Sequence, residues 1–316
     1  MQLEPLILSD QNVRCLDIEM KNVINLVEQV FREKAKGAIE MPPKPSIHPR
    51  KGAFLHAMPA YIRELDACGC KWVGGFPQNH KLGLPYITGV LVLNDPETGL
   101  PICIMDCRWV TEARTAAVSV IAARYLAKRS PSVIALIGSG VQGRNNLRVL
   151  SQEFQSISQI NVFDVRANAQ AKVIEEMSSV GKSIVACSSP REAMLDADIV
   201  VTAVPPEPNP TIRNEWFKEG ALGLPLEGDN YWYRDTLVHA DKFVIDDYDQ
   251  TIHIFRNAPK IHAELGEIII GTKRGRENDK ERIVSMNFGL AIADVATGLV
   301  LYKRAIEKGV GTKIFL

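Results

Sequence analysis

Apolar positions change their spacing several times along the chain. From Ser9 to about Lys36 they recur at helical intervals, with Val13, Leu16, Val23, Leu26, Val27 and Val30 on one stripe. This predicts one amphipathic helix or a pair of helices, capped at Ser9. Gly37 and the Pro42-Pro43 pair then break the period and open an extended segment. Between Gly52 and Asp106 the pattern shortens to runs rich in β-formers, AFLHAMPAYI, GCKWVGGF, YITGVLVLND and PICIMD, parted by turns such as Asp95-Pro96-Glu97-Thr98-Gly99. A largely antiparallel sheet is expected there. Thr111 opens TEARTAAVSVIAARYLAKRS, an alanine-rich helix of about five turns.

Beyond that helix, apolar runs of strand length alternate with helical stretches. Val133 to Ile137, Ile160 to Phe163, Ser183 to Ala186, IVVTAV, ALGLPL and KFVID read as strands. Val141 to Phe154, Asn168 to Ser179 and Pro190 to Leu195 read as helices between them. This is the pattern of a doubly wound α/β domain with a parallel sheet. A glutamate-bearing helix, IHAELGEIIIG, and a solvated charged loop, TKRGRENDK, come next. The closing helix, GLAIADVATGLVLYKRAIEKG, is long and apolar on one side. With the α/β domain already complete, it is expected to return to the first domain. The expected division is residues 1–117 with 290–316, around 118–289.

One junction in the α/β pattern carries chemistry. The strand ending at Ile137 runs into Gly138, Gly140 and Gly143, spaced GxGxxG, before a helix. In a βαβ unit the first glycine makes the turn, the second lets backbone approach a pyrophosphate, and the third lets helix and strand pack closely. The residues between them, Val141 and Gln142, would sit at the helix start, whose N–H groups face the phosphates. Asp164 ends the next strand 21 residues beyond Gly143, where a carboxylate meets the ribose hydroxyls. It favours NAD, because a 2′-phosphate would meet a like charge, while Arg166 leaves room for NADP. Ligands of such sheets lie beyond the carboxyl ends of the strands, so Thr202, Ala203 and Val204 and the loop from Leu224 to Asn230 are further candidates. A glycine-rich turn in some other α/β domain is the plain alternative.

Composition narrows the classes. At 316 residues the chain exceeds one typical core, which favours two domains. Lys plus Arg and Asp plus Glu balance at 37 each, so no net field recruits nucleic acid or an anionic membrane, and a small-molecule partner is favoured. The N-terminus has no basic region followed by a long apolar one, and no stretch reaches the roughly 18 apolar residues of a span, so a soluble cytoplasmic protein is expected. Six cysteines, at 15, 68, 70, 103, 107 and 187, lie at CxC and CxxxC spacings inside apolar runs. They read as buried reduced thiols rather than as a metal site.

Two cations stand out in the first domain. Lys71 lies inside a strand-like apolar run, and Arg114 in the first turns of the alanine-rich helix. Charge is costly in both places unless paired or facing a cleft. Either they clamp a substrate carboxylate, arginine as a fork and lysine as a point charge, or they are ordinary ion pairs with snorkelling stems. Asp229, in the loop after ALGLPL, is placed where a general base would face the reactive end of a nucleotide, or it is a plain loop residue.

The segments HAMPA, CKWVGGFPQN, ITGVLVLNDPETGLP, TEARTAA, GSGVQGR, ELGEIIIG and GLAIADVAT, in order over nearly the whole chain, resemble the ornithine cyclodeaminase/mu-crystallin family. The resemblance implies a Rossmann domain plus a discontinuous α+β substrate and dimerisation domain, commonly in a homodimer. It implies that Lys71 and Arg114 bind a substrate carboxylate and that Asp229 handles the substrate nitrogen and water. Lys44 stands where the family carries a carboxylate-binding arginine. His56 stands where ornithine cyclodeaminases carry the glutamate that receives a side-chain amine, or it is simply a packed sheet residue. The implied chemistry is NAD-dependent oxidoreduction at the Cα–N bond of a small L-amino acid or its imine. Redox-neutral cyclodeamination and a mu-crystallin-like binding role are the alternatives.

Overall fold

In the computed structural model, residues 4–205, 209–228, 231–255 and 257–315 are described. In chain order the elements begin with β1 (Leu6–Leu8), α1 (Asp10–Cys15), α2 (Met20–Ala35), β2 (Ile39–Glu40), β3 (Ser46–Ile47), β4 (Phe54–Ile62), β5 (Ala67–Gly75), β6 (Ile87–Asn94), β7 (Pro101–Asp106) and α3 (Arg108–Leu126). They continue with β8 (Val133–Ile137), α4 (Val141–Glu153), β9 (Gln159–Phe163), α5 (Ala167–Met177), β10 (Ser183–Ala186), α6 (Pro190–Met194), β11 (Ile199–Thr202) and β12 (Leu222–Pro225). The last are α7 (Arg234–Val238), β13 (Lys242–Ile245), α8 (Tyr248–Ile254), β14 (Ala263–Glu264), α9 (Leu265–Ile269), β15 (Ile283–Met286), α10 (Ala291–Lys308) and β16 (Thr312–Lys313).

The chain divides into two compact units, Met1–Arg114 with Gly289–Leu316, and Thr115–Phe288. In the first, the sheet runs β16-β1-β7-β6-β5-β4-β2, with β3 also paired to β4. Strands β4 to β7 form an antiparallel meander, as alternating runs with short turns dictate. The sheet is not wholly antiparallel, however: β1 lies parallel to β7. Three residues, LIL, carry too little periodicity to announce a strand. Alternation puts Met58, Lys71, Leu91 and Met105 in one cross-strand row, and all four are buried. Gly298 of α10 sits directly against Leu91, so the closing helix covers that face. The stripe on α1 and α2 is buried at Val13, Leu16, Val23, Val27 and Val30.

Among the described residues the second unit holds eight parallel strands in the order β10-β9-β8-β11-β12-β15-β13-β14. Its first five follow the strand order of a doubly wound Rossmann sheet, which reverses between β8 and β11 and opens a crevice at their carboxyl ends. Strand β15, IVSM in sequence, is not among the strands that the apolar pattern predicts. It inserts between β12 and β13, where its four residues are fully buried. The charged loop before it hides it from a reading of periodicity. The core on one side of the sheet is built from Ile137, Val200, Trp232, Phe243, Ile245 and Met286, among others.

Helix α3 begins at Arg108, three residues before the expected Thr111, and the Asp106 Oδ1 accepts from the Arg108 N–H at 2.8 Å, which satisfies the first free amide of the helix. All six cysteines are unpaired. Cys103, Cys107 and Cys187 are buried and Cys68 and Cys70 half-buried, but Cys15 is exposed, at the end of α1. No described helix is long and apolar enough to cross a membrane.

Candidate functional site

The first unit buries a compact charged cluster. Lys71 points from β5 into the covered face of the sheet and is fully buried. Its Nζ donates to Asp294 Oδ1 at 2.5 Å and approaches Thr111 Oγ1 at 3.4 Å. Arg114 Nε donates to the same Asp294 oxygen at 3.1 Å. Two cations thus share one oxygen of one carboxylate, and Asp294 Oδ2 has no partner among the described residues. The local balance is one surplus positive charge in a dry place, an arrangement that attracts an anion. Burial pushes the Lys71 ammonium below its ordinary pKa and Arg114 pushes the same way, while Asp294 opposes both.

Lys44 joins this cluster. It is buried, and its Nζ reaches the carbonyl of Gly289 at 3.5 Å. Gly289 has φ +83°, and a β-carbon there would collide with the Arg114 guanidinium nitrogens. Glycine is therefore required twice over, for backbone conformation and for space. His56 lies on β4 opposite Val73, two residues from Met58, whose partner is Lys71. Its ring stacks on Phe54 at 4.3 Å. Burial, and then the positive charge of Lys44, His48 and Lys71, lower its pKa to about 3. His56 is therefore a neutral imidazole throughout the physiological range.

The structure brings Lys44, His56, Lys71 and Arg114 into one unit and ties two of them to Asp294, which the sequence reading left out. A signal for it existed: a lone aspartate in the apolar run GLAIADVAT must be paired if it is buried.

In the second unit the glycine turn has the form its spacing predicts. Gly138 has φ +94°, and a β-carbon there would strike the Ala203 carbonyl, while one on Gly143 would strike the Gly138 carbonyl. A β-carbon on Gly140 would meet nothing within 4 Å, so the open space lies at the residue that caps α4. No side chain caps that helix, and the buried Ser139 hydroxyl has no partner among the described residues. An uncapped helix start over an open cradle fits a pyrophosphate. Asp164 accepts from the Ser139 N–H at 2.6 Å and from the Arg166 N–H at 2.9 Å, one on each oxygen. This fixes the carboxylate at the end of β9 and leaves further lone pairs for ribose hydroxyls. The Arg166 side chain is largely exposed, 3.4 Å from Asp164. Val141 is exposed at the start of α4, and Gln142 follows it.

At the end of β11 the Thr202 hydroxyl is fully buried and committed to protein: it accepts from Trp232 Nε1 at 2.9 Å and bonds Glu227 Oε1 at 2.6 Å. Ala203 and Val204 pack against Gly138 through a carbonyl and a methyl group. Asp229 lies outside the described residues.

The family model for the ornithine cyclodeaminase/mu-crystallin family matches residues 4–309. An alanine dehydrogenase of Archaeoglobus fulgidus is 37% identical over 326 residues, covering 99% of this chain and 98% of that protein. Among solved structures, Δ1-pyrroline-2-carboxylate reductase of Thermococcus litoralis in complex with NADH and L-proline superposes with a TM-score of 0.91 at 32% identity, over 98% of this chain and 100% of the other. An archaeal alanine dehydrogenase dimer with bound NAD gives 0.90 at 35% identity, over 99% of both chains.

Proposed function

The chain belongs to the ornithine cyclodeaminase/mu-crystallin family, and we propose that it is an NAD-dependent oxidoreductase acting on the Cα–N bond of a small L-amino acid or the corresponding cyclic or open imine. The observation that carries this reading is the buried Lys71–Asp294–Arg114 cluster with its surplus positive charge. NAD, when bound, exchanges a hydride with the substrate at Cα. Gly138, Gly140, Val141, Gln142 and Gly143 would hold its pyrophosphate, and Asp164 its adenosine ribose.

The chain's own residues do the rest. Arg114 and Lys71 hold the substrate carboxylate, assisted by Lys44. An ammonium has three N–H groups; two of those on Lys71 are directed at Asp294 and Thr111, and the third serves the substrate. Asp294 orients both cations. Asp229 is the proposed general base that handles the substrate nitrogen and water. The neutral, aromatic-stacked His56 supports a small apolar side chain over a second ammonium, which it has no charge to receive. That weighs against ornithine as substrate.

The test is incubation with NAD and a panel of L-amino acids, following NADH and ammonia, and with NADH and cyclic imines, following NADH loss. Net NADH formation or consumption is the expected result. Ammonia release without NADH would indicate cyclodeamination instead, and no turnover on any substrate would favour a binding protein.

The working unit we propose is a homodimer. The sheet face away from α10 carries a cross-strand row of Ile7, Ile104, Val92, Cys70 and Pro59, all half-buried. Beside it stand Trp72 and Val90, 42% and 39% exposed. A contiguous apolar face of this kind is characteristic of an interface. Trp72→Asp should convert a dimer to a monomer in light scattering; a wild-type monomer would refute the assignment.

A further inference from the structure

The structure contains, among its buried carboxyl groups, one beside the nucleotide turn that the reaction described above does not use. Glu227 follows β12 directly. Glutamates ordinarily bury the stem and expose the carboxylate; Glu227 does the reverse. The residue is half-exposed as a whole, yet its Oε2 is enclosed and has no hydrogen-bond partner among the described residues. Its other oxygen is fixed by a short chain of bonds. An indole N–H only donates, so Thr202 Oγ accepts from Trp232 and its own proton is left for Glu227 Oε1. Burial raises this carboxyl to about 7, against the pull of Thr202 and nearby backbone amides including that of Val204. An unpartnered acceptor held this firmly costs stability unless something meets it.

Its place in the sheet says what that partner is. Along the carboxyl ends the order is β9, β8, β11, β12. Asp164 at the end of β9 is the adenosine-ribose position, and the glycine turn after β8 is the pyrophosphate position. Val204, whose amide faces Glu227, has a methyl group against Gly138 of that turn. A dinucleotide running from β9 over β8 reaches β12 after three strand spacings, about 14 Å. Its nicotinamide half is then the part at the end of β12.

We infer that Glu227 is a cofactor-positioning residue whose Oε2 accepts a hydrogen bond from the carboxamide N–H of the nicotinamide, with Thr202 and Trp232 holding the carboxyl in place. The inference rests on NAD as cofactor and not on which amino acid or imine is turned over.

Binding, measured by calorimetry without turnover, tests it. In Glu227→Gln the amide oxygen takes the Thr202 bond and an NH2 replaces Oε2, so donor faces donor. The variant should bind NAD+ about tenfold more weakly while holding ADP-ribose, which lacks the nicotinamide, within about twofold of wild type. The 3-acetylpyridine analogue of NAD+ replaces the carboxamide NH2 by a methyl group. Wild type should bind it about tenfold more weakly than NAD+, and the variant should bind the two about equally. Equal losses for NAD+ and ADP-ribose, or no loss for either, would overturn the assignment. Where the variant fails to fold, as circular dichroism would show, the wild type alone decides: no preference for NAD+ over the acetylpyridine analogue overturns it. Failure of wild type to bind both NAD+ and ADP-ribose would instead refute the cofactor reading beneath it.

Discussion

Asp294→Asn removes the one negative charge between Lys71 and Arg114. The wild-type distances, 2.5 Å to Lys71 Nζ and 3.1 Å to Arg114 Nε, make this a buried triad whose only anion is lost, and Lys71 has no solvent exposure with which to compensate. Breaking a buried pair from one side costs about 3–5 kcal/mol, which for a chain of this size corresponds to a fall in Tm on the order of 10 °C. The cost has a ceiling, because Lys71 can shed its proton. Its pKa already lies below the ordinary lysine value, and removing Asp294 lowers it further. The ceiling is the cost of neutralising Lys71, about 1.4 kcal/mol for each unit by which the working pH lies below the ordinary lysine value. The variant should therefore recover part of its deficit between pH 7 and pH 9, because a neutral Lys71, which does not repel Arg114, costs less as pH approaches the ordinary lysine value. Urea unfolding of wild type, Asp294→Asn, Lys71→Met and the double variant at both pH values measures this. The double variant should be more stable than the sum of the single losses by at least about 1 kcal/mol, because it removes both partners. KM for the amino acid should rise about tenfold in Asp294→Asn at pH 7, with NAD affinity unchanged. A loss of stability below about 1 kcal/mol in Asp294→Asn, or strict additivity in the cycle, would refute the account of a mutually dependent cluster.

Other expectations concern neighbouring groups. His56→Glu places a carboxylate beside Lys44 and Lys71; it should raise KM for small apolar amino acids several-fold and create measurable binding of ornithine, read by calorimetry. In wild type the His56 ring should show no protonation shift by NMR between pH 8 and pH 5, since its pKa is depressed to about 3. The folded form refuses a proton that the unfolded chain takes up below about 6.5, so this group withdraws stability as pH falls from there toward 3. Substrate carboxylate affinity should fall on raising pH through the lowered Lys71 pKa, where the clamp loses its charge. The same group's effect on stability runs the other way: the cost of burying the charged form is full below the folded pKa and lifts as pH rises toward the ordinary lysine value. Asp164→Asn should weaken NAD binding about tenfold and narrow the preference over NADP, because Asn offers a single acceptor oxygen to the two amides and the ribose; an unchanged NAD to NADP ratio would count against Asp164 as the selector.

Much of this protein is local in origin and therefore legible in its residues. The antiparallel meander follows from period-two alternation, the helices from their stripes and caps, and the glycine turn in part from a close approach within five residues, as Gly143 against the Gly138 carbonyl shows. Asp164 was legible because one βαβ unit fixes its distance from the turn. What the folded chain added depends on contacts between distant segments. Lys71 and Arg114 are visible as cations in costly places, but their ion pairs with Asp294, 223 residues from Lys71, exist only in the folded chain. The carboxylate clamp is the role proposed for the charge those pairs leave over. Glu227 looks like any loop acid until Thr202 and Trp232 close around it. Strand β15 shows no signal beyond four apolar-rich residues, and its place between β12 and β13 is set by hydrogen bonds to strands far away in sequence. Periodicity records which face of an element is buried; it does not record what that face is buried against, and the chemistry of a charged group depends on that neighbour.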